Sequence, residues 1–151
     1  MLVALGLVGA TYAYWEDSLS ITGTVGTGTL EVIFNSTATS SDNEETYDVG
    51  SVQCEVADDG KSATVTITNA YPGYQANCTF TIENTGTIPA KIKAINNDAT
   101  DPLTVVVDGL NAGDVIETSK TFNVVTTVGQ NAAEDTPYSY TITIDVGQFN
   151  E

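Results

Sequence analysis

Histidine and arginine are missing from the 151 residues altogether, and basic charge is confined to four lysines. Without histidine there is no His-based catalytic triad, no HExxH zinc site and no imidazole general base. Without clustered Lys and Arg, nucleic acid and anionic membrane are poor partners, since both are bound through such clusters. Cysteine is limited to Cys54 and Cys78, too few to close a structural zinc site alone. Long apolar runs are missing too: the run at residues 1–9 falls far short of the roughly 20 residues of a spanning helix. No window carries a convincing helical period. These absences point away from an enzyme, a metal or cofactor centre and a nucleic-acid binder.

Acid and β-branched residues are what the chain has in quantity. Twenty Asp and Glu give a formal net charge of −16, which first reads as solubility for a secreted or salt-exposed protein. Divalent cations or a basic surface are the partners such a charge favours. Asp42-Asn43-Glu44-Glu45, Asp108 with Asp114, and Glu134-Asp135 offer hard oxygen ligands in loops, but none has the spacing of an EF-hand. Each reads first as an ordinary acidic loop, as do the carboxylate pairs Glu44-Glu45 and Asp58-Asp59.

The uncharged start, residues 1–9, has the length of a signal-peptide apolar region. Thr11 and Ala13 supply small residues at −3 and −1, placing the expected scissile bond between Ala13 and Tyr14. The missing Lys or Arg before Leu2 leaves an upstream start open, and leaves open retention of the run as an anchor. Removing 13 residues leaves 138, the size of a single domain with one proper core. The expected organisation is a leader at 1–13, an N-terminal strand and glycine joint at 14–26, and a β domain at 27–151.

In residues 14–23, Trp15, Leu19 and Ile21 fall on one face of an extended strand with Asp17 interrupting them. Gly23, Gly26 and Gly28 follow as a joint. Such a strand reaches about 33 Å, long enough to lie along a whole sheet edge. It can fold back as the first strand of its own domain or insert into the next subunit.

Alternating segments then recur. Residues 27–34 place Leu30, Val32 and Phe34 inward, residues 35–48 form a polar loop, and residues 49–56 and 63–68 pair across Asp59-Gly60 as a type I′ hairpin. Tyr71-Pro72-Gly73-Tyr74 turns the chain into residues 75–83, and Asn84-Thr85-Gly86-Thr87 into residues 88–95, with Ile88, Ala90, Ile92 and Ala94 in phase. Strands at 103–107, 115–116, 121–128 and 138–146 complete an all-β sandwich, the last with Tyr138, Tyr140, Ile142, Ile144 and Val146 on one side.

Gly9-Ala10-Thr11-Tyr12-Ala13-Tyr14-Trp15-Glu16-Asp17, followed by Thr27-Gly28-Thr29-Leu30-Glu31-Val32, resembles the start of the TasA/camelysin family of secreted proteins of Gram-positive bacteria, known for biofilm-matrix fibres. A second likeness runs from Ala63 through Tyr71-Pro72-Gly73 into Phe80 and Asn84-Thr85-Gly86, and a third from Tyr140 to Gln148-Phe149-Asn150. The resemblance implies a jelly-roll sandwich, export with cleavage by a dedicated signal peptidase, and assembly by donor-strand exchange between identical subunits, with no stable membrane insertion after processing. The protease activity attached to the camelysin name is not expected here, as far as it needs a histidine-bound metal.

Two cysteines in an exported chain normally pair, so Cys54 and Cys78 are expected to form one disulfide. In a simple meander they would lie two strand spacings apart, about 9.5 Å, beyond the roughly 7 Å a bridge allows. The bridge therefore requires the Tyr71-Pro72-Gly73 connection to carry the chain to the other sheet or to the free side of the 49–56 strand. The expected function is a secreted subunit of an extracellular fibre, joined through Trp15, Leu19 and Ile21; a monomeric surface adhesin or cation-binding domain is the alternative.

Overall fold

The protein is seen in a computed structural model that describes residues 17–150. It is all-β and antiparallel, with ten strands: β1 Val32–Phe34, β2 Thr39–Asp42, β3 Ser51–Val56, β4 Ala63–Thr68, β5 Gln75–Asn84, β6 Ala90–Asn97, β7 Leu103–Asp108, β8 Val115–Ile116, β9 Ser119–Val128 and β10 Ile142–Gln148.

One layer is a five-stranded sheet in which β5 and β9 are the long central pair and β7 flanks β9. On the other edge of β5 two short strands sit end to end, β2 against Ala76–Thr79 and β1 against Ile82–Asn84. The facing layer is split into a three-stranded sheet, β10-β6-β8, and the hairpin β3-β4. Period-two patterning explains the core. Ala76, Cys78, Phe80 and Ile82 of β5, with Phe122, Val124, Thr126 and Val128 of β9, all turn inward and are buried. Phe34, Phe80 and Phe122 gather with ring centroids 6.0 to 6.4 Å apart, close enough for tilted aromatic packing.

The disulfide is present. Cys54 of β3 and Cys78 of β5 have Cα atoms 5.9 Å apart, and the bridge staples the hairpin layer to the large sheet. The Tyr71-Pro72-Gly73 connection does carry the chain from one layer to the other, as the spacing argument demands. Cys54 also lies opposite Val65, the register expected from the sequence.

Several local expectations are corrected. The hairpin turn is not type I′, which needs positive φ at two central residues: Gly60 alone has it, at 65°, and Gly60 N–H bonds to Ala57 C=O while Ala57 pairs with Ser62, closing a four-residue loop. The strand expected over 27–34 shortens to Val32–Phe34, because before it only Thr29 and Glu31 find partners, in the Thr85–Ile88 turn. The polar loop at 35–48 contains β2, whose sequence Thr-Ser-Ser-Asp lacks any apolar alternation; pairing with β5 supplies the order. In β6 a bulge skips Lys93 between the pairs Asp145–Ala94 and Val146–Ile92, so Ile95 rather than Ala94 joins the core beside Ile92. Gly28 is not part of a free joint: a Cβ there would lie 2.4 Å from Ile88 Cγ2.

Candidate functional site

The split in the second layer leaves an open site. Among the described residues β4 pairs only with β3, and β10 only with β6, so each keeps one edge free of them, and both of these edges line the same cleft of about 1320 Å³. Its floor belongs to the large sheet: Phe80, Phe122, Val124, Thr126 and Val128. Its walls are Ala63, Val65 and Ile67 on one side and Tyr138 to Ile144 on the other. The wall side chains facing inward from β4 and β10 are only half-buried, unlike their counterparts on β5 and β9. Unpaired N–H and C=O groups along two facing edges are a template for a further strand.

The ends of the cleft are distinct. One lies at Phe34 and Lys61, where Phe34 N–H bonds to Gly60 C=O. The other lies at Tyr71 and Val128, where Gly73 N–H bonds to Val128 C=O and Ala132 to Tyr138 border the opening. β10 is shorter than expected at this second end: Tyr138 and Tyr140 precede its first paired residue, Ile142, because β6 stops at Asn97 and offers them no partner. They are placed by side-chain bonds instead. Tyr138 Oη accepts from Ala133 N–H at 3.0 Å, and Tyr140 Oη bonds to Thr126 Oγ1 at 2.8 Å. Burial holds the Tyr140 hydroxyl above its ordinary pKa.

The N-terminal segment stands apart from this cleft. Residues 17–28 pair with no strand of their own domain, and Leu19, Ile21 and Val25 are 98%, 101% and 90% exposed. The first hydrogen bonds that tie the chain down are at Thr29, whose N–H donates to Thr87 Oγ1 and whose C=O accepts from Thr87 N–H, both at 2.8 Å. Ala13, Tyr14 and Trp15 lie outside the described residues. Of the expected joining residues, Leu19 and Ile21 are therefore free of the domain, and residues 17–23 form no strand of it.

Part of the acidic stretches is engaged within the fold. Asp42 accepts from the Tyr74 hydroxyl, Glu44 takes the N–H groups of Val49 and Gly50, and Asp114 pairs with Lys120 at 2.7 Å. Among the described residues no three His, Cys, Asp or Glu side chains gather as a metal-holding group. The cleft itself was hidden from sequence reasoning, since the signal for it is the lack of a pairing partner for β4 and β10. The nearest clue was Tyr138-Ser139-Tyr140, alternating correctly but continuing a strand beyond its neighbour.

Comparison with family models, with curated proteins and with solved structures finds no match to the chain.

Proposed function

We propose that this chain is the secreted subunit of an extracellular, biofilm-matrix type fibre, built head to tail as each copy lends residues 14–23 to the cleft of the next. One observation carries this reading: the same molecule holds an unpaired segment of alternating apolar residues and a cleft walled by two unpaired strand edges. A strand laid in the cleft gives β4 and β10 main-chain partners and turns the split layer into one sheet, the chemistry of β-augmentation. Leu19 and Ile21, each worth roughly 1.5–3 kcal/mol when taken from water, move from full exposure to the sandwich interior. Because donor and acceptor surfaces differ, the contact does not close on itself and propagates as a filament. Export, cleavage after Ala13 and the jelly-roll connectivity of the resembled family belong to the same proposal.

The test is removal of residues 14–22. The shortened protein is expected to stay a soluble monomer that binds added peptide of that sequence, while the mature protein forms filaments with a subunit repeat in electron micrographs. Filaments from the shortened protein, or dispersed globules from the mature one, overturn the proposal.

A further inference from the structure

The floor of the cleft is apolar except at one rung. Along β9 the inward residues run Phe122, Val124, Thr126, Val128, and Thr126 is 1% exposed with its hydroxyl 2.8 Å from that of Tyr140. Two hydroxyls bring two O–H donors, and their mutual bond uses one. Neither makes another hydrogen bond among the described residues, so one O–H of the pair, buried Thr126 or half-buried Tyr140, has no protein acceptor there. Covering that donor with an inserted strand and giving it no partner is costly, and the partner that suits it is a group that only accepts.

The free segment has such a group in the matching place. Its inward face reads Asp17, Leu19, Ile21, and Asp17 is the polar member. We propose that Asp17 sets the register of the inserted strand by seating its carboxylate on the Thr126–Tyr140 hydroxyl pair of the receiving subunit. The inference rests on the fibre reading above and adds the specificity-determining contact.

Direction follows from the anchor. Thr29 and Leu30 border the mouth at the Phe34–Lys61 end, so each subunit's segment leaves from that end. In a row of subunits with one orientation it enters the next cleft from the opposite end, near Tyr71 and Val128, with its N-terminus leading towards Phe122. The strand then runs antiparallel to β10. Both strands repeat every two residues at about 6.8 Å, so Asp17 at Thr126 puts Leu19 over Val128. About 40 Å of extended chain separates Asp17 from Thr29, enough to reach from mid-cleft to the neighbouring subunit's anchor. A slip of two residues leaves the carboxylate against Val124 or Val128 with no donor, and a slip of one turns Leu19 and Ile21 outward. Insertion into its own cleft reverses the strand and puts Leu19 over Val124 instead.

The full mature chain with Leu19→p-benzoylphenylalanine reads the register directly. Irradiated filaments are expected to give cross-links between subunits at Val128, Leu103 or Ala132; cross-links between subunits at Phe122 or Val124 overturn the register. A mutant cycle reads the contact. Asp17→Asn, and the paired variant Thr126→Val with Tyr140→Phe that removes both hydroxyls, are each expected to raise the critical concentration for assembly on the order of tenfold, the loss of one charge-assisted hydrogen bond. Combining Asp17→Asn with that paired variant should add little more, whereas additive losses overturn the contact. Asp17→Leu is expected to impair assembly of the otherwise native protein and to rescue the paired Thr126→Val, Tyr140→Phe variant, which a purely structural role of the two hydroxyls does not allow. If filaments need residues 14–22 but Asp17→Asn assembles normally, only the register proposal falls; if they form without residues 14–22, the fibre reading falls with it.

Discussion

Tyr74 shows how tightly single residues are held. It is fully buried, its hydroxyl bonds to Asp42 Oδ2 at 3.2 Å, and its ring meets Tyr71 edge-on at 5.6 Å. Gly50 lies against the ring, so that a Cβ there would come within 2.4 Å of it. Gly50→Ala is therefore expected to destabilise the domain by about 1–3 kcal/mol in thermal or denaturant unfolding, the usual range for overpacking. Burial, helped by Asp42, pushes the Tyr74 hydroxyl well above its ordinary pKa. The native state thus keeps a proton that the unfolded chain loses above about pH 10, and stability falls as pH rises past that point. Tyr74→Phe should flatten this alkaline loss, measured by denaturant midpoints between pH 9 and 11. Asp114 has the opposite sign: the bond from Lys120, then the Asn111 N–H, hold its carboxyl below the usual range. Its contribution is present at neutral pH and is lost as pH falls through that lowered value. The stability gap between the native protein and Lys120→Ala should accordingly close in acid.

Elements were legible where the pattern is local. The alternation of residues 63–68 gives β4 to the residue, and the pairing of Cys54 with Val65 follows from the turn's position although the turn type differs. β2 was illegible because nothing in Thr-Ser-Ser-Asp marks an inner face; the partner β5 makes it a strand. The phase of β6 past Lys93 was likewise set from outside, by the bulge that β10 imposes. Of the candidate site, the apolar face of the N-terminal segment was readable as Leu19 and Ile21, while the cleft was not, since a gap between β4 and β10 is a property of sheet order and leaves no mark on either strand. Cys54 and Cys78, which span 24 positions, were readable from their number and spacing. Replacing both by serine is expected to cost roughly 3 kcal/mol in the chain-entropy model, or a fall of roughly 10 °C in melting temperature. Filament formation should also change β10 itself: backbone amides in residues 138–144 and in Ala63–Thr68 that exchange freely in the monomer are expected to become protected in the filament.

At the scale of the molecule, a charge of −16 makes any two copies of the chain repel each other. Added salt screens this over a length of about 10 Å at 0.1 M, so assembly followed by light scattering should speed up with sodium chloride. Calcium chloride at the same ionic strength is expected to act no more strongly; a marked excess would point to a cation held at the interface instead. The position of the anchor has a mechanical consequence for such a fibre. Thr29 is fastened to Thr87 in the turn that joins β5 to β6, and the cleft runs lengthwise beside β10. Tension along the fibre passes from the inserted strand through β10 and β6 to the Thr87 turn, and so into the next inserted strand. A strand pulled along its own axis loads its hydrogen bonds all at once, in shear, rather than peeling them open one by one. A pull on the filament therefore meets the joint in the direction in which a β-sheet resists most, while a sideways pull at a filament end meets it in the direction that unzips.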